Sequence, residues 1–342
     1  MIIFALETSC DETSAAVLES SRGDLKLLSN VVSSQIDIHK RYGGVVPEVA
    51  ARHHIVNIIP VAAEALSKAK IKPADIDLMA VTTGPGLVTS LIIGVETAKA
   101  LSYAWKKPLL PVNHMYSHIA ANFYGAKIAF PAVCLVVSGG HTELVHLQSY
   151  RRFKKIGQTV DDAAGEAFDK VAKLLNLGYP GGPAISKLAD KFTDRLQFPK
   201  IELPRPMINS NNYDFSFSGL KTAVLYAADK IKNKDEDFQI AMSHYFQQAA
   251  IDVLVAKTIK AANKLNVKTV MMAGGVAANR KLRQALSLEA ENASFRFLAP
   301  EIGLCTDNAA MVAIAAYYLS EKKKVPLDNF KKIATDCNWE LK

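Results

Sequence analysis

Residues 132–148, AVCLVVSGGHTELVHLQ, decide the fold. An apolar run, Ala132–Val137, meets a polar turn with two glycines, Ser138–Thr142, and a second strand-like run, Glu143–Gln148, leaves it. Short apolar runs bounded by turn residues read as paired strands. The N-terminus carries the same pattern: Ile2–Leu6, a polar turn over Glu7–Thr13, then Ala15–Leu18.

The two halves stay parallel beyond these hairpins. After the first, a strand is expected at Leu25–Val32. A long amphipathic helix follows over Glu48–Lys70, with Val49, Ile55, Ile58, Ile59, Ala62 and Leu66 at helical spacing. Strand Asp77–Thr82, the turn Gly84–Gly86, helix Thr89–Trp105 and strand Leu109–Val112 come next, and a helix begins near Asn113. After the second hairpin the order is strand Phe153–Gly157, helices Gly165–Leu175 and Asp237–Leu265, and strand Thr269–Ala273. The turn Gly274–Val276, helix Asn279–Leu288, strand Phe295–Leu298 and helix Asn308–Leu319 close the unit. The fold class is α/β. Two RNase H-like βββαβαβα units resemble the actin-like ATPase fold shared by actin, sugar kinases and chaperone ATPases, in which such units face an interdomain cleft. The expected domains are 1–125 with about 310–342, and 126–309 with a Pro- and Asn-rich insertion at about 178–221.

Composition narrows the class. The 342 residues, 49% hydrophobic, suffice for a large core in two domains. Forty-one basic and 33 acidic side chains give a net charge of +8, a mild bias compatible with a nucleic-acid substrate. Basic clusters stand at Arg151–Lys155, Asn279–Arg283 and Lys322–Lys324. Cys10, Cys134, Cys305 and Cys337 form no CxxC pair, which suits reduced thiols in the cytoplasm. No signal peptide is expected at the N-terminus, and the apolar run Ala309–Leu319 is too short to span a bilayer.

The strongest chemical signal is Asn113-His114-Met115-Tyr116-Ser117-His118. Histidines four apart on a helix share a face, with Cβ atoms roughly 5–6 Å apart, so both imidazoles can reach one metal ion. Met115 stands where the zinc proteases of HExxH type carry their glutamate base, so such a site would orient a substrate and not hydrolyse a peptide. Asp307, at the start of the last helix, reads either as a plain helix-start carboxylate or as the oxygen donor that joins them, a set suited to iron, zinc or manganese. Ser138-Gly139-Gly140-His141 offers backbone N–H groups to an anion, although a tight hairpin without a ligand would read alike. The turn Thr8–Thr13 instead gathers carboxylates and hydroxyls, with Asp11 and Glu12 at its centre. Asn279, after Gly274 and Gly275, reads either as a helix N-cap or as a cap that also binds a ligand. His39, His53, His54, His146 and His244 have no partner pattern and read as packing residues.

Ten collinear strings run through the whole chain. They are ALETSCDETSAAV (5–17), GGVVPEVAARHH (43–54), TTGPGL (82–87), NHMYSHIAA (113–121) and LVVSGGHTEL (135–144). DDAAGEAFDKVAKLL (161–175), YPGGP (179–183), FSFSGLKTAV (215–224), GGVAANRKLR (274–283) and CTDNAAM (305–311) complete them. Together they resemble the tRNA adenosine threonylcarbamoyltransferases of bacterial TsaD type. The resemblance implies transfer of a threonylcarbamoyl group from threonylcarbamoyl-adenylate to the exocyclic amine of adenosine 37 in tRNAs reading ANN codons, with release of AMP. It implies one divalent metal ion, Fe2+ or alternatively Zn2+, on His114, His118 and Asp307. Substrate contacts would come from Val137, Ser138, Gly139, Gly140, His141, Asp169, Gly182 and Asn279, with the adenylate purine near Gly274 and Gly275. The implied partners are tRNA, an adenylate-forming enzyme, a shorter actin-like paralogue of TsaB type and a small P-loop ATPase of TsaE type, with no membrane. A carboxylate that takes the amine's proton would help, and Asp11 is the candidate base, with Glu12 as the alternative.

Three rival readings fit less well. A metalloprotease lacks its base and leaves the twofold pattern unexplained. A sugar or acetate kinase on the same fold carries no HxxxH pair. The shorter non-catalytic partner of the resembled family lacks the metal residues that stand here at His114, His118 and Asp307.

Overall fold

The computed structural model describes residues 1–193, 196, 198–321 and 325–341. The basic run Lys322–Lys324 lies outside the described residues. The chain folds as two compact units: Met1–Ile128 with Ser149–Phe153 and Pro300–Lys342, and Ala129–Gln148 with Lys154–Ala299.

The first unit opens with β1 (Ile2–Glu7), β2 (Glu12–Ser21) and β3 (Asp24–Ser34). A short helix α1 (Ile36–His39) and the long α2 (Pro47–Ala69) follow. Pro47 sits in the first turn of α2, where no N–H is required, and Lys70 closes it in the left-handed region. Then come β4 (Leu78–Gly84), α3 (Val88–Trp105), β5 (Leu109–Asn113) and α4 (His114–Ala120). The sheet order is β3-β2-β1-β4-β5. β1 is antiparallel to β2 and parallel to β4, so the ends of β1, β4 and β5 that lead into turns lie together. Phe4, Leu6, Val17, Ile58, Val61, Val81 and Val95 fill its core, and Phe4 meets Trp105 edge-on at 5.8 Å between ring centres.

The second unit repeats the plan with β6 (Ala132–Val137), β7 (Thr142–Ser149) and β8 (Arg152–Gln158). Helices α5 (Ala164–Leu174), α6 (Gly181–Ala189), α7 (Ser218–Asp229) and α8 (Glu236–Lys264) precede β9 (Thr269–Ala273), α9 (Arg280–Asn292) and β10 (Arg296–Leu298). Its order, β10-β9-β6-β7-β8, is the first sheet's order element for element. The chain then returns to the first unit as α10 (Ala309–Ser320). Residues Ala309–Ala316 of α10 are all fully buried, and the helix packs on β1, β2 and α4. A helix apolar on every side needs such surroundings.

The stretch 178–221 contains α6 and the start of α7, so it is not wholly a loop. Its later part is tied down. The fully buried Lys257 of α8 donates to Asn212 O at 3.1 Å, Arg205 binds Asp252, and Asp161 accepts from the N–H of Phe217 at 2.8 Å.

Candidate functional site

Asn113 closes β5 and caps α4 by accepting the Tyr116 N–H at 3.0 Å, which starts the helix at His114. Its Nδ2 donates to Trp339 O at 2.9 Å, so the C-terminal segment holds the cap in place. The same segment lies against Gly84, where a Cβ would fall 1.7 Å from Asp336 O and only glycine fits. Asn308, and not Asp307, caps α10, accepting the Met311 N–H at 3.1 Å. Asp307 is therefore released from capping and faces the histidines.

His114 Nε2 and His118 Nε2 lie 3.6 and 3.1 Å from Asp307 Oδ1, and one donor atom from each of the three residues falls within 4.8 Å of the others. His118 is buried, and neither of its ring nitrogens has a hydrogen-bond partner among the described residues. The 3.1 Å approach to Asp307 is thus a convergence without hydrogen-bond alignment. A buried nitrogen left unpaired costs about 1–3 kcal/mol, and ligation by a cation would relieve it. Two imidazoles and a carboxylate fit a first-row divalent metal.

Behind His114 stands a second carboxylate. Glu7, the last residue of β1, is fully buried. Its Oε1 accepts the Ser9 N–H at 2.6 Å, and its Oε2 accepts from Thr82 Oγ1 at 2.5 Å and lies 3.4 Å from His114 Nδ1. Ser9 Oγ is 3.1 Å from the same nitrogen. Burial pushes Glu7 up, but the His114 charge and the hydrogen bonds from His114 and Thr82 outweigh it and hold the carboxyl below its usual range. Burial likewise pushes His114 down, and Asp307 and Glu7 together raise it to about 9. A carboxylate behind a ligating histidine fixes its orientation and raises its basicity as a ligand.

Asp11 and Glu12 flank this group. Burial, together with the charges of Asp307 and Asp11, raises Glu12 to about 10. Burial, with the Asp11 and Asp307 charges, also raises Cys10 well above a thiol's usual value, which removes it as a nucleophile. His54 of α2 lies 2.8 Å from Thr13 Oγ1 and 2.9 Å from Cys10 O, pinning the turn from behind.

In the second unit the corresponding turn is built differently. Ser138 N–H donates to His141 O at 2.8 Å, and His141 N–H donates to Ser138 Oγ at 3.1 Å. A Cβ on Gly139 or Gly140 would meet nothing within 4 Å, so these glycines leave open space. Val137, buried at the end of β6, presents its carbonyl to Gly274, where φ is +90° and a Cβ would stand 2.4 Å away. Close packing of β6 therefore demands Gly274, whereas Gly275 is open. Gly165 at the start of α5 donates its N–H to Ser138 O at 3.2 Å. Asp169 caps α6 through the Gly181 N–H at 2.7 Å; burial raises its carboxyl against the N–H groups of Gly181 and Gly182. Asn279 accepts the Leu282 N–H at 3.0 Å and donates to Ser186 Oγ at 3.0 Å and Gln247 Oε1 at 2.9 Å. The N-cap reading of Asn279 holds, and its amide also ties α9 to α6 and α8.

Sequence reasoning missed Glu7, Ser9, Thr82, His54, Ser186 and Gln247. The one local signal was a glutamate ending the apolar run Ile2–Leu6.

Comparison with known proteins decides the family. Residues 26–314 match the model of the family "TsaD: tRNA N6-adenosine threonylcarbamoyltransferase". The chain belongs to this family. Proteins named tRNA N6-adenosine threonylcarbamoyltransferase from Bacillus subtilis (51% identity; 94% of this chain, 91% of that one) and Thermosipho africanus (50%; 94% and 95%) are similar throughout. Component A of (R)-2-hydroxyglutaryl-CoA dehydratase from Acidaminococcus fermentans matches at a TM-score of 0.54 and 16% identity, over 94% of this chain and 99% of that one. HypF of T. kodakarensis matches at 0.61 and 15%, over 93% and 47%. These structures share the actin-like ATPase fold with this TsaD-family transferase. No helix among its described residues is long and apolar enough to cross a membrane.

Proposed function

We propose that the protein transfers the threonylcarbamoyl group from threonylcarbamoyl-adenylate to the exocyclic amine of adenosine 37 in tRNAs reading ANN codons. The observation that carries this reading is the meeting of His114 and His118 with Asp307, far apart in sequence, within one family's chain. The amine nitrogen bonds to the carbamoyl carbon, the bond from that carbon to the adenylate phosphate oxygen breaks, and AMP leaves with the electron pair. An aromatic amine is a weak nucleophile, so a carboxylate that accepts its proton aids the step. We assign that role to Asp11, with Glu12 as the alternative.

His114, His118 and Asp307 would hold a divalent metal, Fe2+ being our assignment and Zn2+ the alternative. Bound there, it supplies Lewis-acid polarisation of a carbonyl or phosphoryl oxygen. Glu7 and Ser9 orient His114. In the second unit, the open turn Ser138–His141, with Val137 behind it, receives the adenylate. Gly182, Asp169 and Asn279 shape the helix ends around it, and the purine lies against Gly275.

Exposed cations at Arg152, Lys154, Arg280 and Lys281 suit tRNA phosphates. Arg283 and Arg151 are spent internally, on the carbonyls of Ala277 and Glu321. The exposed apolar pairs Ile55 and Ile59 on α2, and Val88 and Ile92 on α3, suit a helical partner face. We assign it to the shorter TsaB-type paralogue. A TsaE-type ATPase and an adenylate-forming enzyme complete the system in the cytoplasm.

The test is transfer of labelled threonine to unmodified tRNA by the protein with these partners. Label is expected on tRNA with the intact chain and not with His114→Ala. Equal labelling by both would remove the metal centre from the mechanism, and none by the intact, metal-loaded chain would refute the activity.

A further inference from the structure

Strand β3 ends at Ser34, which pairs in register with Glu12 and donates its hydroxyl to Glu12 Oε1 at 3.2 Å. Residues 35–46 therefore begin at the sheet end that carries Cys10, Asp11 and Glu12. Their base is fixed. His39 is fully buried, its carbonyl accepts the N–H groups of Tyr42 at 2.9 Å and Gly44 at 3.4 Å, and its Nδ1 accepts the Val46 N–H at 3.3 Å. Gln35, also buried, donates to Ala50 O at 3.3 Å. His54 grips Cys10 O and Thr13 from α2, the helix that follows this segment.

The tip is the opposite of its base. Lys40, Arg41, Tyr42 and Gly43 are all exposed, Tyr42 at 60%. Among the described residues neither cation has an ion-pair partner and the Tyr42 ring has no aromatic neighbour. A tight turn with a buried anchor thus holds up one bare aromatic ring between two bare cations and a pair of glycines. Unpaired bases stack on such rings irrespective of their identity, while the cations neutralise phosphates. A protein partner would favour a contiguous apolar patch, which this tip does not offer.

We propose that Lys40–Gly43 is a contact surface for single-stranded RNA, namely the anticodon loop of the tRNA substrate, with Tyr42 stacking on an unpaired base and Lys40 and Arg41 on its phosphates. The inference rests on the tRNA reading above and adds the element that presents the loop to Asp11. It differs from the other exposed cations in needing unpaired bases.

The experiment is fluorescence anisotropy of a labelled anticodon stem-loop against the full chain with its partners, over a series of salt concentrations. The variants are Tyr42→Ala, Tyr42→Phe and the double Lys40→Ala/Arg41→Ala. Tyr42→Ala is expected to weaken binding by about tenfold or more with the salt slope unchanged. Tyr42→Phe should bind like the wild type, and the double variant should lower the salt slope by about two. A fully paired RNA hairpin of equal charge should not sense Tyr42. Wild-type affinity and slope in every variant would overturn the loop assignment alone. So would loss of the protein partners with RNA affinity intact. Failure of the wild type itself to bind the stem-loop would overturn the tRNA reading and this inference together.

Discussion

The turn after β1 and the turn after β6 occupy the same place in two sheets of identical order, yet they are opposite in chemistry. The first is packed with side chains: Glu7 is fully buried, Ser9 and Thr82 bind it, and His114 leans on it. The second holds two glycines that face open space. Topology places a turn at the end of the first strand of each sheet, and side-chain content then decides whether it becomes a rigid ligand holder or a receptive backbone. In one unit the turn is filled by the protein's own polar groups; in the other two glycines leave it open.

The largest expected effect breaks the filled turn. Glu7→Ala leaves the Thr82 hydroxyl, the Ser9 N–H and His114 Nδ1 without their buried acceptor, so about 3–5 kcal/mol of stability should be lost in urea unfolding. Metal affinity should fall by about 10–100-fold as His114 loses its orientation. Gly274→Ala comes next. It forces a Cβ against Val137 O at a φ of +90°, and about 1–3 kcal/mol is expected, whereas Gly275→Ala should leave the melting temperature unchanged. Asn279→Ala removes a cap and the amide that binds Ser186 and Gln247, at about 1–2 kcal/mol. Like Gly275, the open turn tolerates a methyl: Gly140→Ala should shift stability by under about 0.5 kcal/mol. Its added methyl should instead lower threonylcarbamoyl transfer. A Gly140→Ala protein with full activity would show that the second turn is merely a hairpin.

The strands, the long helices and the placing of His114 and His118 on one helix were legible because each rests on local pattern. Apolar runs and turns gave the two sheets, and the spacing of His114 and His118 needed only a helix. Asp307 was legible as a donor, but its freedom to face the histidines depends on Asn308 taking the cap. Glu7 read as part of a polar turn, since its burial depends on Thr82 and His114, which lie 75 and 107 residues away. His39 and His54 read as packing residues for the same reason: their acceptors and donors come from other elements. Helix α6 was hidden by its start, Tyr179-Pro180-Gly181-Gly182-Pro183, which reads as a loop although proline is well tolerated in a first helical turn. Lys257 could not be placed in the interior from sequence, because its partners are a hydroxyl and a carbonyl of a distant loop.

His114, His118 and Asp307 are proposed to form one metal centre. The most direct test is elemental analysis by mass spectrometry of the wild type and of His114→Ala, His118→Ala and Asp307→Ala after incubation with Fe2+ or Zn2+ and desalting. One equivalent of metal per chain in the wild type, and under a tenth of that in each variant with unchanged circular dichroism, is the predicted result. A folded variant that keeps a full equivalent would contradict the account.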